Sequence, residues 1–129
     1  ASPFYFSDMD FDDKDELVIV NWVSGAKGGH IYDVYEIHQH EAIKKSNPPF
    51  NDLQQYFTKY IPNEKTIVNY RSDVWSAEHR YFTIKPADSI DENGKIVTTE
   101  DFVLDKVEYK DDRQTSVYRV IDGRFKKDM

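Results

Sequence analysis

The pattern of apolar and polar positions predicts a chain built mainly from β-strands. The strongest strand is Leu17–Trp22, which is almost continuous in apolar residues and is typical of a strand covered on both faces. The stretch His30–His38 alternates between two faces, as a half-buried strand does. Shorter strands are predicted at Phe4–Phe6, Ile67–Tyr70, Arg80–Lys85, Ser116–Ile121 and Arg124–Lys126.

One segment has helical periodicity instead. Asn51 is in the position of an N-cap, and Pro62 ends the pattern. Between them, apolar residues recur at helical spacing, namely Leu53, Tyr56, Phe57, Tyr60 and Ile61. The sequence therefore predicts a short helix over Asn51–Ile61 that packs on a sheet.

Turn residues divide the remaining strands. Asp91–Gly94 and Asp122–Gly123 both favour tight turns, whereas the pattern from Phe102 to Tyr109 is ambiguous. The length of 129 residues fits one domain over residues 1–129. We expect a mainly β, antiparallel fold, partial-propeller-like or sandwich-like, with one short helix.

Charge and composition exclude several classes of function. The net charge is -7 and the pI is about 5.0, which argues against binding to a nucleic-acid backbone and permits a basic protein partner. The chain has no cysteine, so disulfides and thiolate chemistry are excluded. It also has no apolar run of about 18 residues, so no membrane span is expected.

The segment Asp8–Glu16 is the main candidate site. Acidic residues occupy relative positions 1, 3, 5 and 9, which are Asp8, Asp10, Asp12 and Glu16, and the backbone carbonyl of Lys14 occupies position 7. Alternate residues of a tightly curled loop converge on one point, and Ca²⁺ takes about 6–8 oxygen ligands in flexible geometry. The loop is not an EF-hand, since position 12 is Ile19 and a strand follows. The alternative is a solvated acidic turn.

The stretch from Phe6 to Ile19 resembles the calcium loop of FG-GAP, or integrin-like propeller, repeats. That loop runs D-x-D-x-D-G-x-x-D/E before an apolar strand, and Asp13 departs from its glycine. The resemblance implies that Asp8, Asp10, Asp12 and Glu16 are the ligands. Asp tolerates the left-handed conformation that the glycine position requires.

The end of the chain, Lys106–Tyr109 and Ser116–Phe125, resembles the last hairpin of a bacterial envelope family with a partial-propeller fold. Some members are calcium-binding inhibitors, or immunity proteins, against lysozyme-like peptidoglycan hydrolases. The resemblance implies a non-enzymatic protein that is periplasmic or secreted. Two other functions remain open: a calcium-dependent hydrolase that uses carboxylates, and a surface adhesion or interaction module.

A second acidic segment, Ser89–Glu100, partly matches an EF-hand loop. Its first position is a serine and no helix precedes it, so we expect an Asn-Gly turn without a metal. His38 and His40 form a possible zinc pair without a third ligand, and we expect both to be solvent-exposed.

The glycine-rich loop Ser24–His30 carries no phosphate-binding motif. Its ordinary interpretation is a long hairpin loop. The alternative is a finger that contacts a partner, in which Lys27 and His30 would meet the catalytic carboxylates of a hydrolase. No G-x-S-x-G context supports a catalytic triad that would use Ser24 and His30.

Overall fold

The chain folds into two antiparallel β-sheets. The structure is a computed structural model and describes residues 3–21, 29–72, 75–121 and 124–128. The strands are β1 Phe4–Ser7, β2 Glu16–Asn21, β3 Ile31–His38, β4 Glu41–Lys44, β5 Leu53–Gln54, β6 Thr58–Ile61, β7 Thr66–Ser72, β8 Ser76–Ile90, β9 Ile96–Asp111, β10 Thr115–Ile121 and β11 Arg124–Asp128. The prediction of a mainly β, sandwich-like fold is confirmed.

The first sheet has the order β1-β2-β3-β4, and β5 pairs with β3. The second sheet has the order β11-β10-β9-β8-β7-β6. Each neighbouring pair is antiparallel and follows in sequence, except that β5 returns to β3. The strand order is therefore that of successive hairpins.

The hydrophobic core contains residues from both sheets. Val18 of β2 lies opposite Val34 of β3, and both are fully buried. The other buried members are Met9, Phe50, Leu53, Ile67, Phe82 and Phe102. The opposite face of the first sheet is less covered than the run in β2 predicts, because Phe4 and Phe6, which pair with Ile19 and Leu17, are both exposed.

The prediction of a helix over Asn51–Ile61 is wrong. A single 3-10 turn covers Phe50–Asp52, without a side-chain cap, and the strands β5 and β6 follow it. Leu53 is fully buried, but Tyr56 is exposed. The apolar residues whose spacing resembles a helical stripe instead lie on two separate strands, of which β5 pairs with β3 and β6 pairs with β7. Strand pairing, with β3 and with the neighbouring strand β7, has overridden the helical periodicity.

The strands β8 and β9 form a hairpin much longer than the sequence pattern predicts. They pair continuously from Ser76 with Asp111 to Ile90 with Ile96, apart from one irregularity at Tyr81 and Phe82. The turn expected at Asp91–Gly94 is confirmed, with Gly94 at a φ of 77°. Trp22 and the turn predicted at Asp122–Gly123 lie outside the described residues.

Candidate metal centre

The candidate loop connects β1 to β2. Ser7 pairs with Glu16, and Phe6 pairs with Leu17, so the two strands hold both ends of the loop together. Met9 lies within the loop, yet its side chain is buried in the core. The acidic segment is therefore attached to the hydrophobic core at its ends and near its start, as a preorganised site requires.

Side-chain oxygens within the loop fix its backbone. Asp8 accepts hydrogen bonds from the backbone N–H groups of Asp12 at 3.1 Å and Asp13 at 2.8 Å. Asp12 accepts one from the N–H of Lys14 at 2.9 Å. These bonds curl the chain tightly, which directs alternate side chains to one side.

Two non-glycine residues of the loop adopt the left-handed conformation. Phe11 has a φ of 61° and Asp13 has a φ of 66°. Asp13 stands at the position where the FG-GAP loop described above has glycine. Left-handed backbone is costly for a bulky residue. The ring of Phe11 packs on Phe102 with a centroid distance of 6.0 Å, and this packing offsets part of the strain.

The carboxylates of Asp8, Asp10, Asp12 and Glu16 converge, with one oxygen from each lying within 4.8 Å of the others. Glu16 is buried at the start of β2 and accepts hydrogen bonds from the N–H groups of Met9 at 2.7 Å and Asp10 at 3.2 Å. The structure thus brings together all four carboxylates that the sequence predicts as ligands. The role of the Lys14 carbonyl stays a prediction.

Asp10 is the most perturbed member of the cluster. Its side chain is 14% exposed, and Oδ1 is buried without a hydrogen-bond partner among the described residues. Burial is the largest cause that raises the pKa of Asp10, to about 8, and a hydrogen bond with Asp12 adds to it. The negative charges of Glu16 and Asp12 raise this pKa further.

The neighbouring carboxyls respond differently. Burial also raises the pKa of Glu16, and hydrogen bonds from the backbone of Met9 and Asp10 partly oppose the rise. Burial acts to raise the pKa of Asp12 too, but hydrogen bonds from Asp10 and the N–H of Lys14 outweigh burial, so the pKa falls. The cluster therefore concentrates negative charge that the chain only partly compensates.

Lys45 is a member of the site that the sequence analysis missed. Its Nζ lies 3.6 Å from Asp10 Oδ2 and 3.9 Å from Glu36 Oε2, and its side chain is only 17% exposed. It also lies over the ring of Phe50, 5.0 Å from the centroid. Lys45 follows β4, far from the loop in sequence, so no local pattern could have indicated the contact.

The residues fit a hard divalent cation. The converging donors are all carboxylate oxygens, and one buried oxygen of Asp10 lacks a partner within the described part of the chain. An orphaned buried carboxylate oxygen is costly, and a bound cation would satisfy it. The arrangement can hold a metal ion.

The second acidic segment does not form an EF-hand loop. Asp91 lies in the turn, where its Oδ1 accepts hydrogen bonds from the N–H groups of Asn93 and Lys95, 2.9 and 2.8 Å away. Glu100 lies in β9 and pairs with Pro86, well away from that turn. Because Glu100 lies four pairs along the ladder from Ile96, the pair next to the turn, the two carboxylates do not converge on one ion.

The two predicted partner-binding residues belong to the loop between β2 and β3. Lys27 lies outside the described residues. His30 precedes β3, and its backbone is fixed by Gln55, whose N–H donates to the His30 carbonyl at 2.9 Å. This loop leaves β2 at the end opposite Glu16, roughly 17 Å along the strand. The metal loop is therefore not in direct contact with the point where the loop Ser24–His30 leaves β2.

Among the clefts that the described residues line, two bear on the candidate site. One of about 690 Å³ lies beside the 3-10 turn at Phe50–Asp52 and contains Arg71 and Arg80, which are paired with Asp52 and Glu78. Another, of about 470 Å³, is lined by the acidic loop on one side and by Lys65, Ile84 and Glu100 on the other. The second cleft opens the candidate metal site toward the β8–β9 hairpin.

Comparisons with known proteins show a likeness of fold alone. No protein-family model matches the chain, and no curated protein matches it. A solved structure described as a Xanthomonas type IV secretion system related protein has a TM-score of 0.66 and 14% identity. The match covers 98% of this chain but 58% of that one, so this chain spans little more than half the length of its neighbour. None of the described helices is long and apolar enough to cross a bilayer.

Proposed function

We propose that this protein is a calcium-binding, non-enzymatic protein of the bacterial envelope that binds and inhibits a peptidoglycan hydrolase. The observation that carries the proposal is the convergence of four carboxylates within 4.8 Å, one of which, Asp10, has a buried oxygen without a partner among the described residues. A tight anionic loop of this kind is expensive without a cation. Calcium would then stabilise the fold that presents the inhibitory surface.

The donor set favours calcium over other metals. Oxygen donors without histidine or cysteine suit hard cations. Mg²⁺ demands near-ideal octahedral geometry at about 2.0–2.1 Å, whereas Ca²⁺ accepts flexible, higher coordination. Asp8, Asp12 and Glu16 are each already held by backbone N–H groups, so their remaining lone pairs suit a larger ion with irregular geometry.

The choice of partner rests on charge. With a net charge of -7, the chain would be steered toward basic proteins, and lysozyme-type hydrolases are often basic. The structural neighbour is described as related to a type IV secretion system, which supports an envelope setting. Steering gives speed rather than affinity, so a protruding element must fill the enzyme's cleft.

The proposed protruding element is the loop Ser24–His30, with Lys27 and His30 as the residues that meet the enzyme's catalytic carboxylates. Its glycines allow it to enter a groove. The loop leaves β2 away from the metal site, so calcium would support it only through the strand and the core.

The test follows cell-wall lysis by a panel of lysozyme-type hydrolases, including any encoded beside this protein's gene. We expect wild type with calcium to slow at least one enzyme, and Lys27→Ala with His30→Ala to weaken that inhibition. Lys59→Ala, an exposed lysine on β6, is the matched control and should inhibit normally. If wild type neither binds nor slows any enzyme, the inhibitor proposal is wrong. If the double variant stays fully potent, only the loop assignment is wrong.

A turnover screen distinguishes the inhibitor proposal from the alternative that the protein is itself a hydrolase that uses carboxylates. Wild type is incubated with peptidoglycan and soluble glycans in calcium. Cleavage that disappears in Asp10→Asn would replace the inhibitor proposal with an enzymatic one.

A further inference from the structure

The outer part of the β8–β9 hairpin is a two-stranded arm with which no other described strand pairs. The last pair between β7 and β8 is Thr66 with Thr83, and β10 pairs with β9 only from Lys106 to Lys110. Beyond these limits, and among the described strands, β8 and β9 pair only with each other. We define the arm as residues 85–101. It projects past both neighbouring strands.

The arm is unusually exposed for a structure of its length. The side chains described between Asp88 and Asp101 are all exposed, including Ile90 at 74% and Ile96 at 75%. A two-stranded ribbon is marginally stable alone, and an open strand edge is a template for pairing with another chain. The edge of β9 is therefore a candidate interaction surface.

The turn fixes which backbone groups face that open edge. The N–H of Asp91 donates to the carbonyl of Lys95 at 2.9 Å, so these two residues form a hydrogen-bonded pair that closes the hairpin. Hydrogen-bonded and non-hydrogen-bonded pairs alternate along an antiparallel ladder. The N–H and C=O groups of Ile96, Thr98 and Glu100 consequently point away from β8.

We propose that this edge pairs with the same edge of a second copy of the chain, antiparallel, about a two-fold axis at Thr98. Thr98 then lies opposite Thr98 of the other copy, and Ile96 lies opposite Glu100. The outward backbone groups of these residues bond to one another across the axis. The arm becomes the centre of a four-stranded sheet shared by both copies.

Charge complementarity selects a second copy as the occupant. In this register Lys95 of one copy lies opposite Asp101 of the other, and the symmetry repeats the pair. Val97 lies opposite Thr99, so no like charges face each other directly. A register shifted by one residue would place the outward groups of one strand against the inward groups of the other, so it cannot pair. The strand residues, Ile96–Thr99, are also strong strand formers.

The inference goes beyond the proposed function, since it needs neither calcium nor a hydrolase. The test is sedimentation equilibrium of the whole chain in calcium, over an about hundredfold range of concentration because dimers form by mass action. We expect the mass to rise from 15.2 kDa toward twice that value. A wild type that stays monomeric throughout would contradict the proposal.

Variants locate the interface. Thr98→Pro removes an outward N–H and should abolish dimers, since proline on an edge strand blocks pairing there. It breaks no backbone hydrogen bond to β8, but it also removes the side-chain hydrogen bond that Thr98 Oγ1 donates to Asp88 Oδ1 at 2.6 Å. Lys95→Glu sets like charges opposite each other twice and should raise the dimer dissociation constant by about tenfold. The double variant Lys95→Glu with Asp101→Lys restores opposite charges and should dimerise again.

Lys59→Glu, which makes the same change in net charge on β6, is the matched control and should dimerise as wild type does. Circular dichroism checks that each variant is folded. Dimers that survive Thr98→Pro, or a loss in Lys95→Glu that the charge reversal does not recover, would show that another surface is used and would overturn the proposal.

Discussion

The substitution Asp10→Asn separates the carboxylate's charge from its shape. Asn keeps the size of the side chain but replaces one of the four converging carboxyl groups by an amide, which cannot ionise when a cation binds. Below its raised pKa of about 8, Asp10 is mostly protonated in the metal-free protein, and a neutral Asn resembles that state. We therefore expect the metal-free melting temperature at pH 7 to change little.

The substitution should lower the melting temperature, relative to wild type, when calcium is present. A ligand at about 100 times its dissociation constant adds about 2.7 kcal/mol to the free energy of unfolding. An unfolding entropy of about 2.1 cal/mol/K per residue, over 129 residues, gives about 0.27 kcal/mol/K. The wild-type melting temperature should then rise by about 10 °C, and Asp10→Asn should lose most of this rise.

The assay is thermal unfolding followed by circular dichroism, with chelator and then with calcium. Asp15→Asn removes the same charge from the loop at a position outside the converging set, so it should keep the calcium gain. Magnesium should give a smaller gain. The reasoning is refuted if wild type shows no calcium shift, or if Asp10→Asn retains the shift as fully as Asp15→Asn does.

Two further predictions concern pH and the core. The pKa of Asp10 is raised from 3.8 to about 8, so between these pH values the folded state holds a proton that the unfolded chain releases. The free energy of unfolding of the metal-free protein should therefore fall as the pH rises from about 4 to about 8. Melting temperatures measured in chelator over this pH range check the prediction. Calcium should reduce this fall, since the cation replaces the proton. Leu53→Ala should cost about 2–5 kcal/mol because Leu53 is fully buried, whereas Tyr56→Ala, at an exposed side chain, should cost far less. A urea titration that shows equal losses for the two variants would contradict the strand assignment.

The sequence predicts strands well where the pattern is local. β2 and β3 occupy the predicted segments because their apolar runs are long and unambiguous. The segment Asn51–Ile61 shows the limit. Its apolar residues have helical spacing, but Leu53 pairs with β3 and Tyr60 pairs with Ile67 in β7. Strand pairing decided the outcome, with Tyr32 for Leu53 and with the next strand of a hairpin for Tyr60, and helical periodicity does not record either partner.

The candidate site follows the same division. The four carboxylates lie on one short loop, so their spacing was enough to predict that they converge. Lys45 reaches Asp10 from the end of the hairpin between β3 and β4, a contact that exists only after the first sheet has formed. The separation of the metal loop from the loop Ser24–His30 likewise depends on the direction in which β2 runs.

The most direct test of calcium binding is a crystal structure from crystals grown in calcium, with anomalous scattering used to identify the ion. The account predicts one ion in the loop, with oxygens of Asp8, Asp10, Asp12 and Glu16 at about 2.3–2.6 Å. The Oδ1 atom of Asp10, for which the described residues offer no hydrogen-bond partner, should be among these ligands. A loop that holds no ion in saturating calcium, with its carboxylates bound only to water or to Lys45, would contradict the central claim.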